Sequence, residues 1–275
     1  MRIQHNISAL NTHRNLGFNN AQASKNLEKL SSGYKINRAG DDAAGLAISE
    51  KMRGQIRGLD MATKNAQDSI SLIQTTEGAL NETHAILQRM RELAVQSAND
   101  TNEDKADTDR QKLQDEITQL TAEITRIAEN TEFNNMKVLD GSFTNKKFHI
   151  GANSGQNITV SVGNMDAATL GVAAADVDIT TQAGADKAIK TINDALNTVS
   201  KERSMLGAVQ NRLEHTINNL GASSENLTAA ESRIRDTDMA KEMMGFTKNN
   251  ILMQAAQSML AQANQQPQGV LQLLQ

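Results

Sequence analysis

The residues that most often carry chemistry in proteins are few and scattered in this sequence. The five histidines are His5, His13, His84, His149 and His215, and the chain has no cysteine. No two histidines lie three or four residues apart, so one helix cannot bring a pair together as zinc ligands. The sequence therefore predicts no metal site. His84 instead falls on a helical seam, where a polar residue can set register.

The acidic pair Asp41-Asp42 is the other group that could carry chemistry, as metal ligands or in nucleotidyl transfer. It follows Gly40 and directly precedes a helical pattern that begins at Ala43. Aspartate is favoured in such turns and as a helix N-cap. The sequence has no Gly-rich phosphate loop, nucleophile elbow or pair of catalytic acids. We therefore predict no catalytic residue, no cofactor and no enzymatic activity.

The composition favours long helices over a compact globular core. Aromatic residues make up 2% of the chain and hydrophobic residues 38%, with no Trp. Leu, Ile, Met and Ala can fill a helical bundle without much aromatic area. A net charge of -4 predicts no nucleic-acid partner. No segment has the length and apolarity of a membrane span, and the amino terminus lacks the apolar stretch of a cleaved signal peptide.

Apolar residues recur at alternating steps of three and four along two long segments, which predicts helices with coiled-coil seams. The first seam includes Ile56, Leu59, Ile70, Ile73, Leu80 and Leu87. The second includes Leu196, Leu206, Leu213, Ile217 and Leu220. The first helix has another apolar stripe, containing Leu72, Thr76, Ala79, Thr83, Ile86, Met90 and Leu93. A shorter helical pattern between them, which includes Ile117 and Ile124, predicts a third rod beside these two.

The pattern changes between about residues 131 and 184. Asp140-Gly141 between apolar residues predicts a hairpin turn, and the alternation at Ile158, Val160 and Val162 predicts a strand. Residues 165–184 are small and polar and lie outside every seam, so we expect an insertion after Gly171 to be tolerated. N-caps are predicted at Asp41-Asp42, at residues 102–104 and at Asp186.

Both ends of the chain carry amphipathic patterns with few large apolar residues. The amino-terminal set is Ile3, Ile7, Leu10, Leu16, Leu27 and Leu30, and the carboxyl-terminal set includes Met239, Met243, Phe246, Leu252 and Met259. Ordering each residue costs about 1 to 2 kcal/mol, so two such helices paired only with each other are marginal. The methionines predict either core packing or an adaptable binding face, and both alternatives stay open.

These patterns predict a mainly α protein, a long antiparallel helical bundle or coiled coil with a small β-hairpin element in the centre. Two long blocks of sequence then resemble the bacterial flagellins, in particular those of Bacillus-like bacteria. The amino-terminal block includes residues 3–6, 10–12, 30–48 and 88–96, and the carboxyl-terminal block includes residues 210–214, 229–240, 265–267 and 270–274. Because the blocks lie at opposite ends in the expected order, the resemblance covers most of the chain outside about 131 to 190.

The resemblance implies a structural subunit that polymerises with copies of itself into the extracellular flagellar filament used for swimming. Residues 1–43 and 239–275 would form the inner core of that filament, and residues 44–238 a helical rod. The polymerisation residues would be Ile3, Ile7, Leu10, Leu16, Leu27, Leu30, Met243, Phe246, Leu252 and Met259. The chain has no room for the outer domains of longer flagellins, which makes it a short form.

The same resemblance implies partners besides a second copy. These are an export chaperone on the carboxyl-terminal segment, and the hook-associated and cap proteins. Export would use the flagellar type III apparatus without signal cleavage. The motif bound by the vertebrate Toll-like flagellin receptor is matched by Arg89 and Leu93, with Glu116 on the adjacent helix, and residues 30–48 resemble the segment read by plant receptors.

Two other functions compete with a filament subunit. A hook–filament junction protein shares the terminal patterns but is not expected to match both blocks continuously. A helical pore-forming toxin needs an apolar hairpin near membrane-spanning length, which this sequence lacks.

Overall fold

Five helices and two small β-hairpins make up the structure, a computed structural model that describes residues 6–100 and 109–273, with side chains up to Gln265. The helices are α1 (Ile7–Ser32), α2 (Ala43–Ser97), α3 (Asp109–Asn130), α4 (Gln182–Arg235) and α5 (Met239–Leu273). The strands are β1 (Glu132–Phe133), β2 (Met136–Lys137), β3 (Lys146–His149) and β4 (Asn157–Val160). The predicted mainly α fold with a small β element is confirmed.

The chain divides into two compact units. One comprises Met1–Ile56 and Glu225–Gln275, and the other comprises Arg57–Ser224. Both boundaries fall inside helices, since α2 and α4 contribute residues to each unit. The three-part division at residues 43 and 238 concerns layers of an assembly, and it stays a prediction.

In the Arg57–Ser224 unit, side chains of α2, α3 and α4 share one buried cluster with the segment between α3 and α4. Asp60 accepts a hydrogen bond from Ser224, and Glu77 lies 3.6 Å from Arg203, so α2 and α4 run antiparallel here. Among the seam residues of this unit, Ile73, Leu80, Leu87, Leu206, Leu213 and Leu220 are buried, while Leu59, Ile70, Leu196 and Ile217 are half-buried. The second stripe of α2 enters the same cluster through Leu72, Met90 and Leu93. One helix thus presents two apolar stripes to the core.

The first hairpin forms at a different place from the one predicted. β1 pairs with β2 through a turn at Asn134 and Asn135, whose φ angles of 51° and 61° fit a type I′ turn. At Asp140-Gly141 there is a turn, with Gly141 at φ 82°, but it does not join two paired strands. Asp140 Oδ1 instead accepts from the Ser142 N–H at 2.9 Å. The predicted hairpin at this dipeptide was wrong, because Asn also tolerates positive φ and two adjacent asparagines formed the tighter turn.

The predicted strand is β4, in which Ile158 and Val160 are buried and Thr159 is exposed. It pairs antiparallel with β3. Two of the predicted helix caps can be compared with the structure: Asp42 Oδ1 accepts from the Gly45 N–H at the start of α2, as expected. The cap at Asp186 was wrong, since α4 begins at Gln182 and Thr181 Oγ1 accepts from the Gly184 N–H. The predicted cap at residues 102–104 lies outside the described residues.

The segment before α4 is part of the core, so the expectation that residues 165–184 lie outside the packing was wrong. Val172, Val177 and Ile179 are fully buried. The buried amide of Gln114 donates to the Val177 carbonyl at 3.0 Å and accepts from the Ile179 N–H at 2.8 Å. An insertion after Gly171 would displace Val172 from this core. Apolar residues without helical or strand periodicity gave no signal in the sequence, and only their long-range contacts with α3 show their burial.

Candidate functional site

The terminal helices α1 and α5 pack against each other in the unit that contains both ends of the chain. Asn6 caps α1 by accepting from the Ala9 N–H, and Gly33 ends it in the left-handed conformation at φ 75°. Asp238 accepts from the Lys241 N–H at the start of α5. Caps at these ends satisfy backbone groups that a helix leaves unpaired.

The connections beside these helix ends are tied to each other. Tyr34 and Asp236 form a β-bridge, in which the Lys35 N–H donates to the Arg235 carbonyl and the Thr237 N–H to the Gly33 carbonyl. The Arg235 guanidinium lies 4.8 Å from the centre of the Tyr34 ring and 2.6 Å from Glu50 Oε1. The hydrogen bond that Arg235 donates to Glu50 holds the pKa of the Glu50 carboxyl below its usual range. The start of α2 and the end of α4 are therefore joined by contacts from both connections.

Most of the large apolar side chains on α1 and α5 point away from this helix pair. Of the ten predicted polymerisation residues, six are exposed: Ile7, Leu10, Leu27, Met243, Leu252 and Met259. Leu16, Leu30 and Phe246 are half-buried, and Ile3 lies outside the described residues. An exposed set of this size on two neighbouring helices is typical of a surface that another protein covers.

The exposed surface is wider than the sequence predicted. Phe18 is 69% exposed on α1, and Met244 and Ile251 are exposed on α5. On α5 an open groove is lined by Met243, Met244, Thr247, Lys248, Ile251 and Leu252. Phe18 follows Leu10 by eight residues, close to two helical turns, and that spacing was the signal that could have found it.

The remaining seam residue, Ile56, is half-buried and belongs to the unit that contains the chain ends.

The three predicted receptor residues are placed differently from one another. Arg89 Nε donates to Glu116 Oε1 at 2.9 Å, and the two side chains are 50% and 42% exposed. Hydrogen bonds from Glu116 and Glu92 raise the pKa of the Arg89 guanidinium. Leu93 is buried at 1% exposure, so it supports the surface from beneath.

Within residues 6–100 and 109–273, no group of three or more His, Asp or Glu side chains is arranged to hold a metal ion. Among the described helices, none combines the length and apolarity that crossing a bilayer requires. The site is thus a pair of capped helices that turn their large apolar side chains outwards. Helices that expose apolar faces of this kind are typical of structural subunits that associate with further copies.

Comparison with known proteins names the family. The helical amino-terminal region of bacterial flagellin matches residues 3–144, and the helical carboxyl-terminal region matches residues 189–274. The flagellin of Bacillus subtilis (strain 168) is 60% identical over 304 aligned residues, covering 100% of both chains. The flagellin of Halalkalibacterium halodurans is 61% identical over 274 residues, again covering 100% of both. The chain belongs to the bacterial flagellin family, and it is a structural subunit of the flagellar filament.

Two solved structures are also similar. The crystal structure of Bacillus cereus flagellin is 31% identical and covers 61% of this chain and 94% of its own, with a TM-score of 0.49. A flagellar hook-associated protein from Vibrio parahaemolyticus is 13% identical, covers 71% of this chain and 100% of its own, and has a TM-score of 0.57. At 13% identity that likeness concerns the fold alone. The identity of 60% and 61% to two flagellins over their whole length confirms the predicted filament subunit and the predicted short form of flagellin.

Proposed function

We propose that this flagellin polymerises through the outward faces of α1 and α5, with residues 1–43 and 239–275 forming the inner core of the filament. The observation that carries the proposal is the exposure of Leu10, Phe18, Ile251 and Leu252 in a single subunit. Burying one such side chain contributes about 1.5 to 3 kcal/mol, so contacts between many copies add up. Residues 44–238 would form the surrounding rod.

Electron microscopy of the purified protein at high concentration tests this function. We expect filaments whose inner wall contains both terminal helices. Isolated rods or closed rings under all assembly conditions would contradict it.

The proposed role is structural throughout and needs no catalytic residue, metal ion or cofactor. In the cell, the hook-associated and cap proteins would meet the same terminal helices at the two ends of the filament.

Before assembly, the α5 groove suits an export chaperone in the cytoplasm. Met243 and Met244 line it, and methionine side chains adapt to different partners because they are flexible and polarisable. A chaperone that covers this face would prevent polymerisation before export through the flagellar type III apparatus, which we propose occurs without signal cleavage. Calorimetric titration of the chaperone with the unchanged chain and with Met243→Lys tests the groove, and equal affinities would contradict it.

Host recognition is proposed for the exposed pair of Arg89 and Glu116, with residues 30–48 as the segment that plant receptors would read. Arg89→Ala should lower the response of cells carrying the vertebrate Toll-like flagellin receptor by about tenfold, since an interfacial charge pair is worth about 1.5 kcal/mol or more. Monomer stability should change little, because exposed ion pairs contribute at most about 1 kcal/mol.

The matched control for this prediction is Arg126→Ala. Arg126 forms a similarly exposed ion pair with Glu123 on α3. Both variants remove an exposed arginine from an ion pair, so they are expected to melt alike. A receptor response that falls equally in both variants, or in neither, would contradict the assignment.

A further inference from the structure

The interface between α1 and α5 contains little that would define the register of the two helices by apolar packing. Among the side chains described up to Gln265, the buried ones are Ala23 and Asn26 on α1 and Ala263 on α5, and most of the large apolar ones point outwards. Small side chains make similar contacts after a slip of one helical turn. The buried polar residue Asn26 does not, because its hydrogen-bond partners occupy fixed positions.

Asn26 is 6% exposed and has a partner for each end of its amide. In the orientation that satisfies both ends, the nitrogen donates to Glu242 Oε1 at 3.1 Å and to the Gln22 carbonyl at 3.0 Å. The oxygen accepts from the Phe246 N–H at 3.1 Å and from Asn249 Nδ2 at 3.2 Å. Three of these four partners belong to α5, so the hydrogen bonds of the amide form only at one position of that helix.

Gly245 provides the space that this amide occupies. A Cβ at position 245 would lie 2.9 Å from the terminal amide of Asn26, closer than side chains approach without displacement. Glycine inside a helix costs roughly 1 kcal/mol relative to alanine. Gly17 on α1 differs, since a Cβ there would meet nothing within 4 Å. The two glycines are therefore a matched pair in which only one faces the buried amide.

A second polar contact lies near the other end of the pair, where Asn6 Nδ2 donates to the Ala263 carbonyl at 2.7 Å. From Asn6 to Asn26, α1 advances by about 30 Å, and from Gly245 to Ala263, α5 advances by about 27 Å. The two contacts therefore agree on one antiparallel register. A single buried asparagine is known to set register between paired helices at some cost in stability.

We propose that Asn26 and Gly245 set the register of the terminal helix pair, and that the closeness of Asn6 to Ala263 is a result of that register. A slip of one turn, about 5.4 Å, would separate the buried amide from its three partners on α5 and leave only the Gln22 carbonyl of its own helix. The register decides which apolar side chains of α1 lie level with those of α5, and so presents one fixed pattern to the next copy. This inference rests on the proposed polymerisation through these helices.

Cysteine crosslinking in assembled filaments tests the register, since the chain has no cysteine of its own. Asn6→Cys with Ala263→Cys reports the native register, and Asn6→Cys with Met259→Cys reports a slip of one turn. Gel mobility separates bonds within a chain from bonds between chains. Gly17→Ala should leave the native product unchanged. Gly245→Ala should lower it about tenfold in favour of the slipped product, although both changes raise helix propensity.

The double variant Asn26→Ala with Gly245→Ala removes both the amide and the clash, and it should give the two products together. Variants that do not polymerise alone are co-assembled with excess cysteine-free chains. The proposal is overturned if Gly245→Ala keeps the native product as Gly17→Ala does, if the double variant gives the native product alone, or if co-assembly rejects Gly245→Ala and the double variant alike. Rejection of Gly245→Ala with acceptance of the double variant supports it. Failure of polymerisation through these helices would instead appear as filaments without ordered α1 and α5, whatever the register.

Discussion

Leu213→Lys should lower the melting temperature of the monomer by about 10 °C. Leu213 is fully buried in the cluster shared by α2, α3 and α4. Removing a buried leucine side chain costs about 2 to 5 kcal/mol, and a charge without a partner adds to that cost. For a chain of this size, 1 kcal/mol corresponds to roughly 2 to 4 °C. Ile70→Lys should act in the same direction but less strongly, since Ile70 is only half-buried and a lysine there can extend towards water.

Leu252→Lys should block polymerisation while leaving the melting temperature of the monomer almost unchanged. Leu252 is 41% exposed on α5 and lines the open groove, so monomer melting should change by less than about 2 °C. Polymerisation should be blocked, because each buried contact between copies would hold an uncompensated charge. Leu252→Met is the control that keeps the apolar character, and it should assemble.

Calorimetry of the monomers and electron microscopy of the assembly reactions separate the two effects. The assignment is contradicted by the reverse ordering, in which Leu252→Lys destabilises the monomer and Leu213→Lys only prevents assembly. A Leu252→Met chain that also fails to assemble would show that shape, not charge, accounts for the defect.

The second large effect concerns hydrogen exchange at the chain ends. We expect roughly the first 40 and last 35 residues to exchange quickly in the monomer and to be strongly protected in the filament. The helices α1 and α5 bury little apolar surface against each other, and Ile7, Leu10, Phe18 and Met259 are all more than half exposed. Isolated helices are marginal in water when packing does not support them. Neighbouring copies would cover the outward faces, so polymerisation would stabilise both helices.

The measurement compares amide exchange in monomer and filament, resolved by segment. Amides of α3 serve as the internal control, because Ile117 and Ile124 are fully buried within one subunit and should be protected in both states. Slow exchange across residues 5–30 and 245–262 in a verified monomer would contradict this mechanism. It would mean that α1 and α5 are stable together before assembly.

Much of the fold follows from local patterns in the sequence. The seams of α2 and α4 were predicted from spacing, and residues such as Leu80, Leu206 and Leu213 are fully buried. The cap at Asp42 and the alternation in β4 were predicted in the same way. Helical and strand periodicities depend only on neighbours along the chain, which is why one sequence determines them. The resemblance at both ends identified the family for a related reason, since its two blocks are continuous stretches of sequence.

The tertiary structure decided what depends on residues far apart in the chain. The burial of Val177 and Ile179 requires Gln114, which lies more than 60 residues away. The contacts of Arg235 with Tyr34 and Glu50, and of Asn26 with the turn of α5 that contains Gly245, join opposite ends of the chain. The apolar stripe of α2 predicts that Leu93 packs against a neighbour, whereas the family resemblance gives it a receptor contact, and its side chain is buried. A polar residue on a helix gives no local sign of the partner it will meet, because only the packing of helices brings the two together.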